Sequence, residues 1–285
     1  MLTPLRIIAT SAYDVAHSVI VPGQSRKSRK SRLKRSVVRF YSRLERAGLL
    51  ERLPAFDEDY AAYPELRAFE AAYADIRAEC EALLRYRSRI TDISVLGGDY
   101  TKQGIHTISW KAFMLKSGSF IEPNCSLAPK TAAVLRTTPS VYNAFFSILE
   151  PHQYVTPHWG YFKGFVRYHL GVIIPGGDAQ RQCWVRVNTD TEDNISREKA
   201  RVVRGEKFYW KNGKGLVFDD TNLHDAANES DEVRVVLWLD VIRKLPRALD
   251  VGTRGILAAV YQLPSIRRIR VNAAVDLPDW MQPSH

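Results

Sequence analysis

The sequence predicts a mainly β body, a sandwich or barrel, with helices flanking it. Six short segments after residue 100 have the period of two or the apolar run that is typical of strands. Clusters of Gly, Pro, Asn and Asp separate these segments and favour turns. No helical pattern intervenes, which favours a sandwich or barrel. The predicted strands are Thr107–Lys116, Ala144–Leu149, Val166–Ile174, Cys183–Val187, Gly215–Phe218 and Val233–Ile242.

A helical pattern precedes the strands, between Pro64 and Ile90. Apolar residues recur there at steps of three and four, and Pro64 suits a first helical turn. A shorter apolar pattern beyond Lys244 predicts a closing helix. We therefore divide the chain into a basic N-terminal extension (1–46), a helical support region (47–106), a β core (107–243) and a C-terminal helical closing segment (244–285).

The net charge of +10 is concentrated in one segment. Residues 24–46 contain ten Lys or Arg and one acid, so the rest of the chain is close to neutral. The run 25–31 has no apolar face, which predicts a solvated linker. Contact with anionic lipid headgroups is the alternative interpretation. Nucleic acid is disfavoured because no aromatic residues that stack on bases are interleaved there.

Cysteine content and the N-terminus indicate a cytoplasmic protein, with peripheral membrane contact as the alternative. Three cysteines without a CxxC spacing are too few to staple 285 residues, which indicates reduced thiols. Charged and breaking residues interrupt residues 1–22, so we expect neither a membrane-spanning helix nor a secretory signal there.

Three of the seven histidines lie in distinctive settings. His158 begins His-Trp-Gly, His169 lies in the strand Arg167–Pro175, and His224 follows Phe218-Asp-Asp. A single strand histidine is usually structural, and we interpret the remaining four in that way or as tail residues. Two neutral imidazoles brought together, however, are good ligands for iron(II) with open positions beside them.

These motifs resemble the aspartyl/asparaginyl β-hydroxylase family, in order and spacing, over roughly residues 107–242. The matching segments are Phe146–Pro151, Pro157–Gly160, Arg167–Gly171, Gly215–Asp220, His224 and Arg234. The resemblance implies a double-stranded β-helix, a jelly-roll or cupin-like core, that binds Fe(II) and 2-oxoglutarate and uses O2 to hydroxylate its substrate. Trp110–Lys116 also resembles the branch that hydroxylates acyl chains of bacterial lipid A.

The resemblance also implies roles for single residues. His158 and His224 would bind iron, while Ser147 and Arg234 would hold the far carboxylate of 2-oxoglutarate, which the fork of an arginine suits. Arg167 and His169 share one strand face. They would contact the other end of the cosubstrate, or the substrate.

Gly160 stands where most oxygenases of this chemistry carry an Asp or Glu ligand. A non-catalytic β-barrel binding protein, a halogenase with chloride at the vacated position, and a two-histidine hydroxylase are the three interpretations. Iron(II), two neutral imidazoles and dianionic 2-oxoglutarate sum to zero charge, which favours the hydroxylase. Asp220 would orient a metal-bound water, with a turn-capping role as the alternative.

The substrate is less well defined by the sequence. We predict a small-molecule or peptidyl, Asp/Asn-like substrate, with a lipid-acyl substrate docked through residues 24–46 as the alternative. Phe165 stands two residues before Arg167, where a second cation would grip an acidic substrate. Lys163 is the candidate to replace that cation.

Overall fold

The computed structural model describes residues 39–96, 109–160, 162–176 and 181–275. Three histidines (His17, His106 and His285), Thr107 and Ile108 of the first predicted strand, and residues 24–38 of the basic segment lie outside the described residues. No helix in the described ranges is long and apolar enough to cross a membrane. The three cysteines are unpaired and buried.

Two antiparallel sheets form the core. The major sheet has the order β2-β1-β3-β10-β5-β8 and the minor sheet the order β4-β9-β6-β7. The strands are β1 Trp110–Ser117, β2 Ser119–Phe120, β3 Val141–Leu149, β4 Gln153–His158, β5 Phe165–Ile173, β6 Cys183–Asn188, β7 Glu206–Tyr209, β8 Gly215–Phe218, β9 Leu223–Asn228 and β10 Arg234–Ile242. Apolar side chains of β6, β8 and β10 pack together between the sheets. This arrangement confirms the double-stranded β-helix.

Helices flank the two sheets. They are α1 (39–46), α2 Arg67–Ala71, α3 Tyr73–Leu84, α4 Ile93–Leu96, α5 Glu122–Leu127, α6 Pro129–Arg136, α7 Thr191–Ser196, α8 Arg247–Val260 and α9 Pro264–Ala273. Phe69, Ile76 and Cys80 pack against Tyr168 and Leu237 of the sheet. The predicted helix from Pro64 to Ile90 is therefore present, but as α2 and α3 with short 3-10 turns at either end.

The six predicted strands are β1, β3, β5, β6, β8 and β10, with ends that agree to within three residues. The prediction missed β2, β4, β7 and β9. His224 follows the apolar strand β8, as the sequence indicates, and it also lies within β9. β9 alternates poorly, since it contains small and polar residues in place of β-branched ones. β4 contains Pro157, which is tolerated because β4 is an edge strand.

The predicted closing helix is present as α8, and α9 follows it after residues 261–263; the two helices and this turn are named the C-terminal hairpin. Ala273 and Ile269 of α9 pack against Met114 and Phe145 on the inner face of the major sheet. Tyr261, between the two helices, lies against Tyr142 of β3 with ring centroids 5.7 Å apart. The hairpin therefore adjoins the part of the inner face that the minor sheet leaves uncovered.

Candidate active site

His158 and His224 are directly opposite each other on the neighbouring strands β4 and β9. Their ring centroids are 4.1 Å apart, as expected for a cross-strand pair. Each Nδ1 lies 2.8 Å from the carbonyl oxygen two residues earlier, of Thr156 and Asn222 respectively. A carbonyl only accepts, so Nδ1 carries the proton and Nε2 carries the lone pair.

Burial keeps both imidazoles neutral. Desolvation lowers the pKa of His158 to about 4, and it lowers the pKa of His224 well below its usual range, with the neighbouring His158 as the next cause. Neutral imidazole is the form that binds a metal. Within the described part of the chain, no group of three or more His, Cys, Asp and Glu suited to a metal is found, so the pair stands as two nitrogen donors.

The carboxylate of Asp220 fills the space beside Gly160. A Cβ added at Gly160 would lie 2.3 Å from Oδ2 of Asp220, and the Gly160 amide donates to the Asp220 carbonyl at 2.7 Å. Burial raises the pKa of Asp220 to about 6, although the charge of Arg167 opposes this shift. Glycine at position 160 therefore makes room for a carboxylate that comes from the loop before β9.

Arg167 is held by two carboxylates. Its Nη2 donates to Asp220, and its Nε lies 2.9 Å from Oδ1 of Asp240. The guanidinium carbon also lies 3.9 Å from the ring centre of Trp238, at cation–π distance. The charge of Arg167 is therefore balanced within the protein, and its geometry suits the positioning of Asp220.

Arg234 is the opposite case, a buried cation without a carboxylate partner among the described residues. It is 3% exposed. Its Nη1 lies 3.5 Å from the Ser147 carbonyl, and its Nε has no partner in the described part. Burial lowers its pKa to about 10. An unpaired buried charge is costly, so the surroundings of Arg234 suit an anion.

Ser147 and His169 complete the surroundings of Arg234. Ser147 accepts a hydrogen bond from Trp110 Nε1 at 2.8 Å, which leaves the serine hydroxyl hydrogen available to a ligand. His169 is 4% exposed, and neither ring nitrogen has a partner among the described residues. Burial and nearby cations lower its pKa well below the usual range. These unpaired polar groups fit the carboxylates of 2-oxoglutarate.

The structure thus brings the seven predicted site residues into two clusters. His158, His224, Asp220 and Arg167 form one cluster, and Ser147, His169 and Arg234 form the other. The sequence reasoning missed Trp110, Trp238 and Asp240 as neighbours of the site. Asp240 gave a signal, because it and Arg234 are the only charged residues in the strand β10, which is apolar elsewhere. Trp110 gave none, since its contact with Ser147 depends on the pairing of β1 with β3.

Two further predictions concern residues near the site. His152 lies at the surface and bonds to Asp231 at 2.8 Å, in agreement with a structural role. Lys163, the candidate substitute for a substrate-binding cation, is paired with Glu45 at 2.5 Å and lies 3.5 Å from Asp219. Its charge is therefore neutralised by the protein.

A family model described as aspartyl/asparaginyl beta-hydroxylase matches residues 70–244. The chain belongs to this family, which confirms the resemblance, and the family implies iron and 2-oxoglutarate.

Three curated relatives illustrate the similarity. The ornithine lipid ester-linked acyl 2-hydroxylase of Rhizobium tropici is 32% identical over 192 residues, which is 66% of this chain and 60% of the relative. The human aspartyl/asparaginyl beta-hydroxylase is 28% identical over 46% of this chain and 16% of its own length. The aspartate beta-hydroxylase domain-containing protein 2 of Xenopus tropicalis is 28% identical over 67% of this chain and 48% of its own length. The chain thus matches less than two thirds of each relative.

Proposed function

We propose that the chain is an iron(II)- and 2-oxoglutarate-dependent dioxygenase that hydroxylates an unactivated C–H bond. Two neutral imidazoles with matched tautomers lie on the inner face of the minor sheet, and this is one half of the carrying observation. The other half is Arg234 on the inner face of the major sheet, a buried cation without a carboxylate partner among the described residues. When bound, iron and 2-oxoglutarate use O2 to convert the C–H bond into an alcohol, with succinate and carbon dioxide as co-products.

Each residue has a defined task in this proposal. His158 and His224 bind the metal through Nε2, and their Nδ1–H groups fix the ring orientation. Arg234 and the Ser147 hydroxyl hold the far carboxylate of the cosubstrate, and His169 offers its ring nitrogens to the cosubstrate. Asp220 would orient a water at the metal site, and Arg167 keeps Asp220 in place.

The surroundings of Gly160 and the histidine pair weigh against a halogenase and against a non-catalytic binding protein. A halogenase needs room for chloride in the vacated ligand position, but the Asp220 carboxylate lies there, and two anions in contact repel each other. A binding protein without a metal has no use for two imidazoles with matched tautomers. The hydroxylase accounts for both features.

The decisive experiment is an anaerobic titration of the purified chain with iron(II) and 2-oxoglutarate. We expect a visible metal-to-ligand charge-transfer band, and succinate formation once O2 is admitted. His158→Ala should abolish both signals, because it removes one of the two nitrogen donors. His152→Ala is the matched control, since this histidine lies at the surface. Wild-type protein without the band, or His158→Ala with full succinate formation, would refute the proposal.

An acyl chain is the second candidate substrate, favoured by an aromatic cluster around Phe165, which lies two residues before Arg167 on β5. Phe165 lies 5.1 Å from Phe162 and 5.6 Å from Tyr142 by ring centroid, and Tyr261 extends the same cluster. With Lys163 neutralised by acids, the described residues around this aromatic cluster, the aromatic wall, offer no free cation for an acidic side chain. The Rhizobium relative, an ornithine lipid acyl hydroxylase by name, agrees with an acyl substrate.

Phe165→Arg tests the acyl substrate directly. Placing a guanidinium against an acyl chain leaves it without a partner. We expect kcat/KM for an ester-linked acyl amphiphile, measured by succinate release, to fall on the order of 30-fold or more. Phe165→Leu should stay within a few-fold of wild type because it keeps the wall apolar. Faster turnover of an acidic peptide than of the amphiphile by wild-type enzyme would rule out this substrate class.

A further inference from the structure

The exposed surface of the C-terminal hairpin, α8 and α9, is cationic. Residues 247–273 contain five arginines and one acid, Asp250, which is paired with Arg254 at 2.8 Å. Arg267 and Arg268 of α9 are exposed and have no ion pair in the described part of the chain. The helix α9 itself contains no acidic residue. Its open side therefore presents positive charge that the described part of the chain does not neutralise.

Apolar side chains are interleaved with these arginines. Leu263, Val271 and Val251 are 49%, 75% and 66% exposed, and they are three of the seven exposed large hydrophobic residues that the structure describes. Leu263, Arg267 and Val271 are spaced four residues apart, so they lie along one face of α9. The opposite face, with Ile269 and Ala273, packs on the sheet. A helix with a basic and apolar open face is suited to a membrane interface.

The hairpin is also connected to the candidate active site. The hydroxyl of Tyr261 donates to Oδ1 of Asn143 at 3.0 Å, and Nδ2 of Asn143 donates to Asp240 at 2.7 Å. Asp240 in turn pairs with Arg167 at 2.9 Å. The turn between the helices thus contacts the network that holds Asp220. Through Tyr261, it also contacts the aromatic wall around Phe165.

We propose that the open face of this hairpin docks the enzyme on a membrane that contains anionic phospholipids. Unpaired arginines complement the phosphate groups, and Leu263 and Val271 enter the boundary between headgroups and acyl chains. Nucleic acid fits less well, because the exposed residues between the arginines are aliphatic and offer no ring for stacking. Docking of this surface would bring the active site to a membrane-bound acyl substrate, so the proposal rests on the proposed acyl hydroxylation.

The test uses the full chain with an environment-sensitive fluorophore on a single introduced cysteine. The native cysteines are buried, so Leu263→Cys and Val271→Cys can be labelled selectively. Ile195→Cys is the control, since Ile195 is 50% exposed on α7, which carries Glu192 and Asp193. With vesicles of phosphatidylglycerol and phosphatidylcholine, we expect a blue shift at positions 263 and 271 and none at 195. Vesicles of phosphatidylcholine alone should produce no shift.

Charge reversal tests the role of the two exposed arginines. In the Arg267→Glu/Arg268→Glu variant, the lipid concentration for half-maximal shift should rise on the order of 30-fold or more. Arg267→Lys/Arg268→Lys should stay close to wild type, and equal far-ultraviolet circular dichroism of both variants confirms folding.

Two outcomes would overturn the hairpin interface. One is sedimentation of the protein with anionic vesicles without a shift at 263 or 271, since docking would then use another segment such as residues 24–46. The other is a larger shift with duplex DNA than with vesicles. Neither measurement needs iron or 2-oxoglutarate. A failure of hairpin docking is therefore distinguishable from a failure of the hydroxylase proposal, which the anaerobic titration detects.

Discussion

Arg234→Met should lose 2-oxoglutarate binding while the ligand-free protein becomes no less stable than wild type. Burial lowers the pKa of Arg234 to about 10. A cation whose pKa is lower in the folded state costs stability at every pH below that value, and the cost disappears as the pH rises from about 10 towards the ordinary arginine value. From the shift this cost is roughly 3 kcal/mol. Methionine removes the charge with little change in volume.

Thermal unfolding with and without 2-oxoglutarate measures both effects. The cosubstrate should stabilise the wild-type protein by mass action and leave Arg234→Met unchanged, with an affinity loss on the order of 100-fold or more. Arg234→Lys is the matched control: it keeps the charge but not the two-pronged fork, so it should bind with intermediate affinity. Arg234→Met that binds 2-oxoglutarate within threefold of wild type would place the far carboxylate elsewhere.

Gly160→Asp should inactivate the enzyme, although it restores the carboxylate that most related oxygenases use. Any Cβ at this position would lie 2.3 Å from Oδ2 of Asp220. The new carboxylate would also lie next to an existing one, which raises the free energy of the charged pair. Asp220 would then leave its contact with Arg167. We expect a loss of succinate formation on the order of 100-fold, together with a lower melting temperature.

A double-mutant cycle separates crowding from charge. Gly160→Ala tests the steric part alone and should also destabilise the protein. Gly160→Asp/Asp220→Ala removes the obstructing side chain. It should recover much of the melting temperature, so that the two substitutions show a coupling free energy of about 1 kcal/mol or more. Additive effects in this cycle would mean that Asp220 does not fill the space beside Gly160.

The strands with strong apolar patterns were predictable. β5, β8 and β10 have buried side chains on both faces, because α2 and α3 cover one side and the minor sheet the other. Such strands consist of nearly continuous apolar residues. β4 and β9 escaped prediction because an edge strand tolerates Pro157, and because His224 and its polar neighbours disturb the alternation of β9. The two strands that carry the proposed metal-binding pair were thus among the four that the pattern did not show.

Substrate specificity was only partly predictable. Phe165 indicated a missing cation from the sequence alone. That Lys163 is neutralised, however, depends on Glu45 of α1, which is more than 100 residues away in the chain. The aromatic wall likewise depends on Tyr261, which reaches Tyr142 only because α8 returns to the edge of the inner face.

The sequence by itself determined the family, the pair of histidines, the arginine proposed to bind the cosubstrate and the absence of a carboxylate at Gly160, because each depends on residue identity and local spacing. Tertiary structure alone decided which charges are compensated. Arg167 and Arg234 have the same side chain and both lie on strands of the major sheet, yet two carboxylates hold Arg167 while none holds Arg234 among the described residues. Charge compensation depends on distances of a few ångströms between residues far apart in the chain, and burial then fixes how strongly each charge acts.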